Sequence, residues 1–425
     1  MARANIPGAA VAVVANGRVI YAEGYGLANV ESQAPMTATM LLRVGSVTKM
    51  VTGATAAIMA QQGTLDLQAP IGRVVPELSG KRVGAVTAHQ LLTHHAGWLD
   101  NAVPYGRMGE GALGEVMREV TDTLFFTEPG RTFSYSNPGF SMAGYVAEVA
   151  GKQRFAALVQ SLVLGPLGMT RSTFKPLEAL TYPIAMGHAR APGDSVRVVR
   201  PMTENTAQWA SGFLFSTAPE LGRFAIALMD SGRVDGHQRI PREAVTQLTT
   251  GHVRHPGAAG LDSARYGYGL VIARRGADRV WTHGGAINGY ASAVTMLPDR
   301  RAAVIILTNV DGGALPAVAD AAFRLSAGVT LRPAPTPPAP RAPSAAERVA
   351  LAGVYRMGRR AVELTVVGDS LVARQGMLNG RVSLVGADQL LVQTGATPVT
   401  TVGISRDANG RGVYLYLGSR ALARQ

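Results

Sequence analysis

Ser46 and Lys49 are the residues whose types and spacing most clearly suggest chemistry, and they open an apolar run that reaches Gln62. Residues three positions apart share one face of a helix, so the hydroxyl and the amine can meet. We expect a helix that begins at or near Ser46, with Gly63 as a left-handed stop. The positive end of that helix disfavours a charged Lys49 and lowers its pKa. A neutral lysine can then accept the Ser46 proton and produce an activated nucleophile without a histidine.

Lysine is rare in this chain, which makes the pair more informative. The 41 basic residues include only four lysines, which are Lys49, Lys81, Lys152 and Lys175. A retained lysine suggests a need to lose a proton, which arginine cannot meet. Ser172 and Lys175 repeat the spacing, but Pro176 disfavours helix at Lys175, so we predict a loop there. Taken alone, the Ser46–Lys49 spacing also fits a purely structural helix start.

Two further segments carry candidate groups. Tyr135 and Asn137 stand in a predicted loop before a helix over 140–150. A phenol beside a lysine can relay a proton, and an asparagine can hold a substrate amide or carbonyl. His283 precedes Gly284 and Gly285 on a predicted strand, where paired glycines let a backbone or a ligand come close. Structural roles remain open for both, with the tyrosine in the core or at its rim and the histidine as a satisfied internal group.

The composition argues against metal and thiol chemistry. His94 and His95 follow a capping box formed by Thr87 and Gln90, but neighbours on a helix point about 100° apart and rarely bind one ion. The sequence contains no cysteine, which excludes disulfides, thiol catalysis and thiolate metal sites. We therefore expect neither a metal nor a cofactor.

The charge of the chain is strongly positive but dispersed. The net charge is +13 over 425 residues, and aromatic residues make up only 6%. Nucleic-acid binding would require clustered basic residues with stacking aromatics, so a solvated arginine surface is the better interpretation. Anionic surfaces such as cell wall or membrane remain conceivable loose partners. No apolar run approaches the length of a membrane span, so we expect no stable membrane insertion.

Hydrophobic periodicity indicates the elements that must position these groups. A hairpin turn at Asn16 and Gly17 is expected to join strands over 11–14 and 19–22. We predict further strands over 266–273, 279–282, 291–297 and 302–308. The predicted helices cover residues 111–123, 140–150, 154–168, 217–230 and 314–327, and a second capping box at Thr217 and Glu220 opens the fourth of these.

The last part of the chain differs in composition. Six prolines between residues 331 and 343 indicate a semi-rigid extended linker. Beyond it, short Val- and Leu-rich segments alternate with Gly and Asp turns, which predicts a small all-β module. Its strands are expected over 361–367, 370–374, 382–385 and 389–393, and the module carries no catalytic constellation.

The three motifs together resemble a known superfamily. Ser46-Val47-Thr48-Lys49, Tyr135-Ser136-Asn137 and His283-Gly284-Gly285 stand in the order typical of serine β-lactamases and penicillin-binding proteins. The nearest relatives look like class C β-lactamases, D,D-carboxypeptidases, D-aminopeptidases and family VIII esterases. The resemblance covers about residues 5–328, and segments 91–97 and 165–169 also look like family segments. The absence of a Gly-x-Ser-x-Gly motif argues against an α/β-hydrolase.

The resemblance implies an α+β fold. It would contain an antiparallel sheet flanked by helices, a mostly helical domain, and a cleft between them. We expect a β-lactamase-like serine hydrolase domain over 1–328, the Pro-rich linker over 329–346 and the C-terminal β domain over 347–425. That last domain resembles the β-barrel-like domains appended to some D-aminopeptidases.

The resemblance also implies roles for the candidate residues. Ser46 would be the nucleophile, Lys49 its proton acceptor, and Tyr135 the general base and acid that passes the proton to the leaving group. The backbone N–H groups of Ser46 and Ala286 would form the oxyanion hole.

The implied substrate-binding residues are Asn137, His283, Gly284 and Gly285. Asn137 would hold the substrate, His283 would supply a donor or a positive charge, and the two glycines would keep the strand open. Class C β-lactamases generally show Lys-Thr-Gly at the third motif, where this chain has His-Gly-Gly.

The resulting hypothesis is a serine hydrolase that works through an acyl-enzyme on an ester or amide. Its partner would be a small-molecule acyl substrate, either a small acyl ester or a D-amino acid peptide, and weak β-lactam hydrolysis is compatible with it. The alternatives are a dedicated class C-type β-lactamase or D,D-carboxypeptidase, and a penicillin-binding sensor that does not turn over. A periplasmic or secreted location would follow if a signal has been removed, and a cytoplasmic one otherwise. The oligomeric state stays open.

Overall fold

The computed structural model describes residues 1, 4–101, 103–193, 195–256, 261–313, 315–331, 338–375, 378–393 and 399–425. The strands before the C-terminal module are β1 Gly8–Ala15, β2 Arg18–Asn29, β3 Ala34–Pro35, β4 Leu42–Arg43, β5 His188–Arg190, β6 Val196–Val198, β7 Phe215–Ser216, β8 Arg233–Val234, β9 His237–Gln238, β10 Val253–Arg254, β11 Asp262–Tyr266, β12 Val271–Arg275, β13 Asp278–Ile287, β14 Tyr290–Leu297 and β15 Ala302–Thr308.

Nine of these strands form one antiparallel sheet, in the order β10-β11-β12-β13-β14-β15-β1-β2-β3 among the described residues. Strands β1 and β15 are neighbours in the sheet although they lie far apart in the sequence, with Val11 opposite Ile306. The turn between β1 and β2 has positive φ at Asn16 (52°) and Gly17 (73°), as a tight hairpin turn requires. The predicted hairpin is therefore confirmed.

The helices are α1 Thr48–Gln61, α2 Arg82–Ala85, α3 Ala88–Leu92, α4 Ala112–Arg118, α5 Asn137–Gly151, α6 Phe155–Val159, α7 Pro176–Ala179, α8 Trp209–Gly212, α9 Ala218–Met229, α10 Arg242–Thr249, α11 Pro316–Ala327 and α12 Ala345–Leu351. Helix α1 packs against α5, α8 and α10. It is buried from Thr48 to Met59, so it is the central helix of the helical part.

Period-2 alternation on β1 explains why helices cover both faces of the sheet. Ala10, Ala12 and Val14 belong to the large core that also contains α1 and α9. Val11 and Val13 point the other way, into a second core with Phe323 of α11. The predicted α+β class, with an antiparallel sheet flanked by helices, is confirmed.

The C-terminal module is a closed antiparallel barrel of the described strands β16 to β23. These strands are β16 Gly353–Met357, β17 Arg360–Val367, β18 Ser370–Arg374, β19 Gly380–Val385, β20 Gln389–Gln393, β21 Val399–Arg406, β22 Gly412–Leu417 and β23 Arg420–Arg424. Pairing of Tyr355 with Arg424 closes the barrel. Its interior is apolar, with Leu364, Leu390 and Leu415 buried. The predicted all-β module is confirmed.

Several local predictions need correction. The expected strand 266–273 is two strands, because the chain turns at Gly269 (φ +80°), where a Cβ would lie 2.2 Å from the Lys49 carbonyl oxygen. The expected helix 154–168 is α6 followed by a π-helical turn, Gln160–Leu164. The helix expected over 111–123 ends at Arg118.

The two predicted capping boxes differ in outcome. The box at Thr87 and Gln90 forms completely. At α9 only half of the box forms: Thr217 accepts the Glu220 N–H, and the Glu220 carboxylate binds the Arg171 N–H and the Ser172 hydroxyl.

None of the described helices combines the length and apolarity needed to cross a membrane. Residues 332–337 of the predicted linker lie outside the described residues. The domain boundaries at 328 and 347 stay a prediction.

Candidate active site

Ser46 and Lys49 come together as the spacing predicts. A 3₁₀ turn, Gly45–Val47, leads directly into α1 and places Ser46 two residues before Thr48, where the helix begins. The Thr48 hydroxyl fixes this turn by donating to the Gly45 carbonyl oxygen at 2.6 Å. Lys49 is fully buried, and its Nζ lies 3.2 Å from Ser46 Oγ. The predicted meeting of hydroxyl and amine is confirmed.

Two further contacts of the amine orient its lone pair. Lys49 Nζ donates to Asn137 Oδ1 at 2.6 Å and to the Ser211 carbonyl oxygen at 2.5 Å. Neither oxygen carries a proton, so both contacts need an N–H from the lysine. A neutral amine has two N–H groups, and its lone pair is then left for Ser46. The arrangement suits a lysine that accepts the serine proton.

The environment favours the neutral amine. Burial lowers the pKa of Lys49 to about 7; Asp100 opposes this shift and Arg420 adds to it. The predicted direction is confirmed, but the principal cause is removal of water from the ammonium, whereas the sequence suggested the field of the helix end.

The second Ser-x-x-Lys pair shows the opposite behaviour. Ser172 Oγ bonds Ser216 and Glu220, while Lys175 Nζ lies 2.9 Å from Glu110. The hydrogen bond to Glu110 raises the pKa of Lys175, the first of several causes. Lys175 is half-buried and directly precedes α7. The predicted loop is confirmed, and spacing alone does not produce an activated pair.

Tyr135 adds a phenol to the serine and the lysine. Lys49 Nζ lies 4.8 Å from the centroid of its ring. Burial raises the pKa of Tyr135, and a hydrogen bond with Ser46 partly opposes that rise. The phenol therefore keeps its proton at neutral pH, which suits a proton donor better than a base.

Asn137 is held in one orientation by Asp100. The backbone N–H and the Nδ2 of Asn137 both donate to Asp100 Oδ1 at 3.0 Å. A carboxylate oxygen only accepts, so the amide nitrogen must face Asp100 and the amide oxygen must face Lys49. Asn137 thus contacts the lysine directly. Its predicted role in holding substrate stays a prediction.

The backbone groups expected to form the oxyanion hole belong to two elements that meet at Gly45 and Ala286. A Cβ on Gly45, which has φ +51°, would lie 2.7 Å from the amide nitrogen of Ala286. The turn that carries Ser46 therefore packs on β13 at Ala286.

The two glycines of the third motif have different surroundings. A Cβ on Gly285 would lie 2.0 Å from the Val44 carbonyl oxygen, so this position lets the Ser46 turn approach the sheet. A Cβ on Gly284 would find its nearest atom, Ser292 O, at 3.7 Å. Of the two positions, only Gly284 has open space for a side chain, whereas the resemblance implied that both glycines keep the strand open.

His283 is a neutral, engaged side chain. Its Nδ1 lies 2.6 Å from the Gly284 carbonyl oxygen, which can only accept, so Nδ1 carries the proton. Its Nε2, 2.9 Å from Tyr266 Oη, accepts from that hydroxyl. Burial lowers the pKa of His283 to about 3. This environment disfavours the positive charge that the resemblance implied, and a direct role in substrate binding stays a prediction.

His94 packs against the segment that carries Tyr135 and Asn137. Its ring lies 4.2 Å from the Tyr135 ring, and its Nδ1 accepts the Ser136 N–H at 3.0 Å. Within the described ranges, no group of three or more His, Cys, Asp or Glu side chains is arranged to hold a metal ion.

Sequence reasoning missed Asp100, Ser211 and Arg420. Arg420 Nε lies 2.6 Å from Asp100 Oδ2, although 320 positions separate the two residues. No local pattern marks one arginine in an arginine-rich chain, and Ser211 contributes only its backbone oxygen. The only sequence signal for Asp100 is its position shortly after segment 91–97, which resembles a family segment.

Comparisons with known proteins agree with this architecture. A family model described as "Beta-lactamase" matches residues 1–329. The crystal structure of SurE has a TM-score of 0.81 at 26% identity, covering 100% of this chain and 96% of SurE. A second structure, SurE with D-Leu, has a TM-score of 0.80 at 25% identity over the same shares of both chains.

Two curated relatives match most of the chain. The D-aminopeptidase of Gluconobacter oxydans is 29% identical over 71% of this chain and 56% of its own length. Protein flp of Staphylococcus aureus strain N315 is 22% identical over 74% of this chain and 62% of its own length. The chain thus spans only part of the length of these two relatives.

Proposed function

The chain belongs to the β-lactamase family, and from this premise we propose that it is a serine hydrolase that cleaves an amide or ester next to a D-amino acid through an acyl-enzyme. The observation that carries the proposal is the buried Lys49 amine, 3.2 Å from Ser46 Oγ, with its two N–H groups directed at other oxygens.

The proposed acylation step moves one proton in a relay. Ser46 Oγ attacks the substrate carbonyl carbon and gives its proton to the Lys49 lone pair. The tetrahedral oxyanion is stabilised by the backbone N–H groups of Ser46 and Ala286. Tyr135 protonates the leaving group as the carbon–leaving-group bond breaks, and the Lys49 ammonium then reprotonates Tyr135. The net result is transfer of the serine proton to the leaving group.

Deacylation is the reverse of this relay with water as the nucleophile. As water attacks the acyl carbon, it gives its proton to Tyr135, which passes its own proton to the Lys49 lone pair. The Lys49 ammonium then returns a proton to Ser46 Oγ as the acyl–oxygen bond breaks. Splitting the reaction into two moderate steps is the advantage of a covalent intermediate.

Support for the D-configured substrate comes from relatives. The D-aminopeptidase shares 29% identity with this chain, and SurE, similar over the full chain, has been crystallised with D-Leu. His-Gly-Gly at the third motif, with a neutral His283, lacks the cation expected at a dedicated β-lactamase site.

The test is a panel of D- and L-amino acid p-nitroanilides and esters, with nitrocefin and a fluorescent penicillin in parallel. We expect turnover with a preference for D-configured substrates and a covalent adduct at Ser46 in intact-protein mass spectrometry. Ser46→Ala should remove turnover and labelling while the circular dichroism spectrum stays unchanged.

Other outcomes would replace the proposal. Fast nitrocefin hydrolysis with poor peptide turnover would indicate a β-lactamase. A long-lived penicillin adduct without turnover of any substrate would indicate a sensor. Full activity of Ser46→Ala would place the nucleophile elsewhere.

A further inference from the structure

The C-terminal barrel reaches into the site through the turn between β22 and β23. The Tyr135 N–H donates to the Ser419 carbonyl oxygen at 2.9 Å. The Ala421 N–H donates to Ser134 Oγ at 3.1 Å. The segment that carries the candidate proton donor is therefore hydrogen-bonded, at Ser134 and at Tyr135, to this turn and to the start of β23.

Arg420, the first residue of β23, pairs with Asp100. Its Nε and its terminal nitrogen lie 2.6 Å and 2.5 Å from Asp100 Oδ2. The Asp100 side chain is 5% exposed, and that of Arg420 is 32% exposed. A nearly buried carboxylate without a cation would be costly, so this contact is more than a surface ion pair.

The other oxygen of Asp100 fixes Asn137. Both N–H donors of Asn137 converge on Asp100 Oδ1, which turns the amide oxygen toward Lys49. If the amide were reversed, its N–H would compete for the lysine lone pair. Ser46 would then lose its base even though every catalytic side chain remained in place.

We propose that Arg420 is a positioning residue of the active site, which acts through Asp100 and Asn137 to aim the Lys49 lone pair at Ser46. The C-terminal barrel then completes the catalytic group of the main domain. The expected effect on turnover rests on the proposed function, but the effect on the titration of Lys49 can be measured without any substrate.

Charge supports the same connection. Asp100 raises the pKa of Lys49 and Arg420 lowers it. Removing Arg420 should therefore raise the pKa of Lys49, and removing Asp100 should lower it. The other titratable groups that face Lys49 are His94, His283 and Tyr135. Burial lowers the pKa of both histidines and raises that of Tyr135, so all three are neutral near pH 7.

The low lysine content allows a direct test without substrate. The full-length protein is labelled with [13Cε]lysine, and the four lysine signals are titrated by NMR. The Lys49 signal is identified by its loss in Lys49→Arg. We expect its midpoint to rise by roughly one pH unit in Arg420→Gln and to fall by a similar amount in Asp100→Asn. The double variant should return toward the wild-type midpoint.

Arg254→Gln is the matched control. It removes another arginine–aspartate pair between the sheet and the barrel, Arg254 to Asp388 at 2.9 Å, whose side chains are 72% and 51% exposed. The Lys49 midpoint should not move in this variant. Arg420→Lys keeps the charge and is a second variant that remains informative if Arg420→Gln does not fold. We expect its Lys49 midpoint to stay near the wild-type value and its kcat to fall.

The outcomes separate this inference from the proposed function. An unchanged Lys49 midpoint in both Arg420→Gln and Asp100→Asn would overturn the inference, even if wild-type protein turned over D-amino acid substrates. If the Lys49 midpoint shifted in opposite directions in the two variants but the wild-type protein hydrolysed no substrate of the panel, the inference would be supported and the proposed function overturned. Equal loss of kcat in Arg420→Lys and Arg254→Gln would reduce Arg420 to a docking contact.

Discussion

At the scale of single residues, two buried basic side chains, Arg43 and Lys49, differ in their surroundings. Arg43 is 1% exposed, yet it keeps a carboxylate partner, Glu204, and lies against the rings of Phe213 and Phe215. Lys49 is equally buried, but its nearest polar atoms are uncharged oxygens. Arginine is stable as a buried ion with such partners, whereas lysine without them readily loses its proton. The residue type therefore decides which site can hold a base.

Lys49→Arg should reduce kcat/KM by at least about a hundredfold, because a guanidinium keeps its proton and cannot act as a general base. Steady-state kinetics on the best substrate of the panel would measure the loss. Lys175→Arg, in the second Ser-x-x-Lys pair, is the matched control and should keep full activity. Near-normal turnover by Lys49→Arg would limit the lysine to an electrostatic role.

The pH profile should have an acid limb set by Lys49. Its pKa is lowered to about 7, and only the neutral amine accepts a proton. As pH falls below 7 the base becomes protonated, so kcat/KM should decrease by about tenfold per unit and recover as pH rises. His283, with its pKa lowered to about 3, cannot produce a limb in this range. A profile that stayed flat from pH 8 to pH 5 would contradict the assignment.

At the scale of elements, the site exists because the turn that opens α1 lies directly on strand β13. Ser292 Oγ of β14 donates to the Val44 carbonyl oxygen at 2.6 Å and secures this contact. Gly285 makes the close approach possible, because any side chain there would collide with that same carbonyl group. The proposed oxyanion hole is thus a property of two packed elements.

Gly285→Ala should destabilise the protein by about 1–3 kcal/mol, the usual cost of overpacking, since its Cβ would meet backbone at 2.0 Å. Gly284→Ala is its neighbour-matched control, with no atom nearer than 3.7 Å. Thermal and urea unfolding of the two variants would measure the difference. Equal stability of both variants would mean that the turn and the strand are less tightly packed than described.

At the scale of the whole molecule, main domain and barrel share a polar interface beside the site. Thr132 Oγ1 lies 2.6 Å from Tyr416 Oη in a buried contact, and Thr127 Oγ1 lies 2.8 Å from Tyr414 Oη in a half-buried one. Leu99 and Phe126 of the main domain pack against the apolar core of the barrel. The loop that holds Asp100 therefore depends on both parts of the chain.

Tyr416→Phe should lower the free energy of unfolding by about 1 kcal/mol, because it leaves the Thr132 hydroxyl buried without its partner. Tyr414→Phe should cost less, since water can reach the half-buried Thr127 contact. Urea titration followed by tryptophan fluorescence, whose reporters lie in the main domain, would measure both. An identical, negligible effect would show that the barrel docks without stabilising its neighbour.

The sequence by itself determined the local chemistry and the elements. The Ser46–Lys49 spacing, the left-handed stop at Gly63 (φ +71°) and the period-2 strands of the barrel are short-range consequences of residue type. Even the loop position of the second Ser-x-x-Lys pair followed from one proline.

Only the tertiary structure decided how the lysine is tuned and aimed. Burial by α5 and α8, the carbonyl oxygen of Ser211 and the Arg420–Asp100 pair come from segments more than 50 residues from Lys49 in sequence. Such contacts leave no local pattern, because any arginine or backbone oxygen could make them. Desolvation is a collective effect of packed neighbours, so the direction of the Lys49 pKa shift by burial follows only from the folded structure.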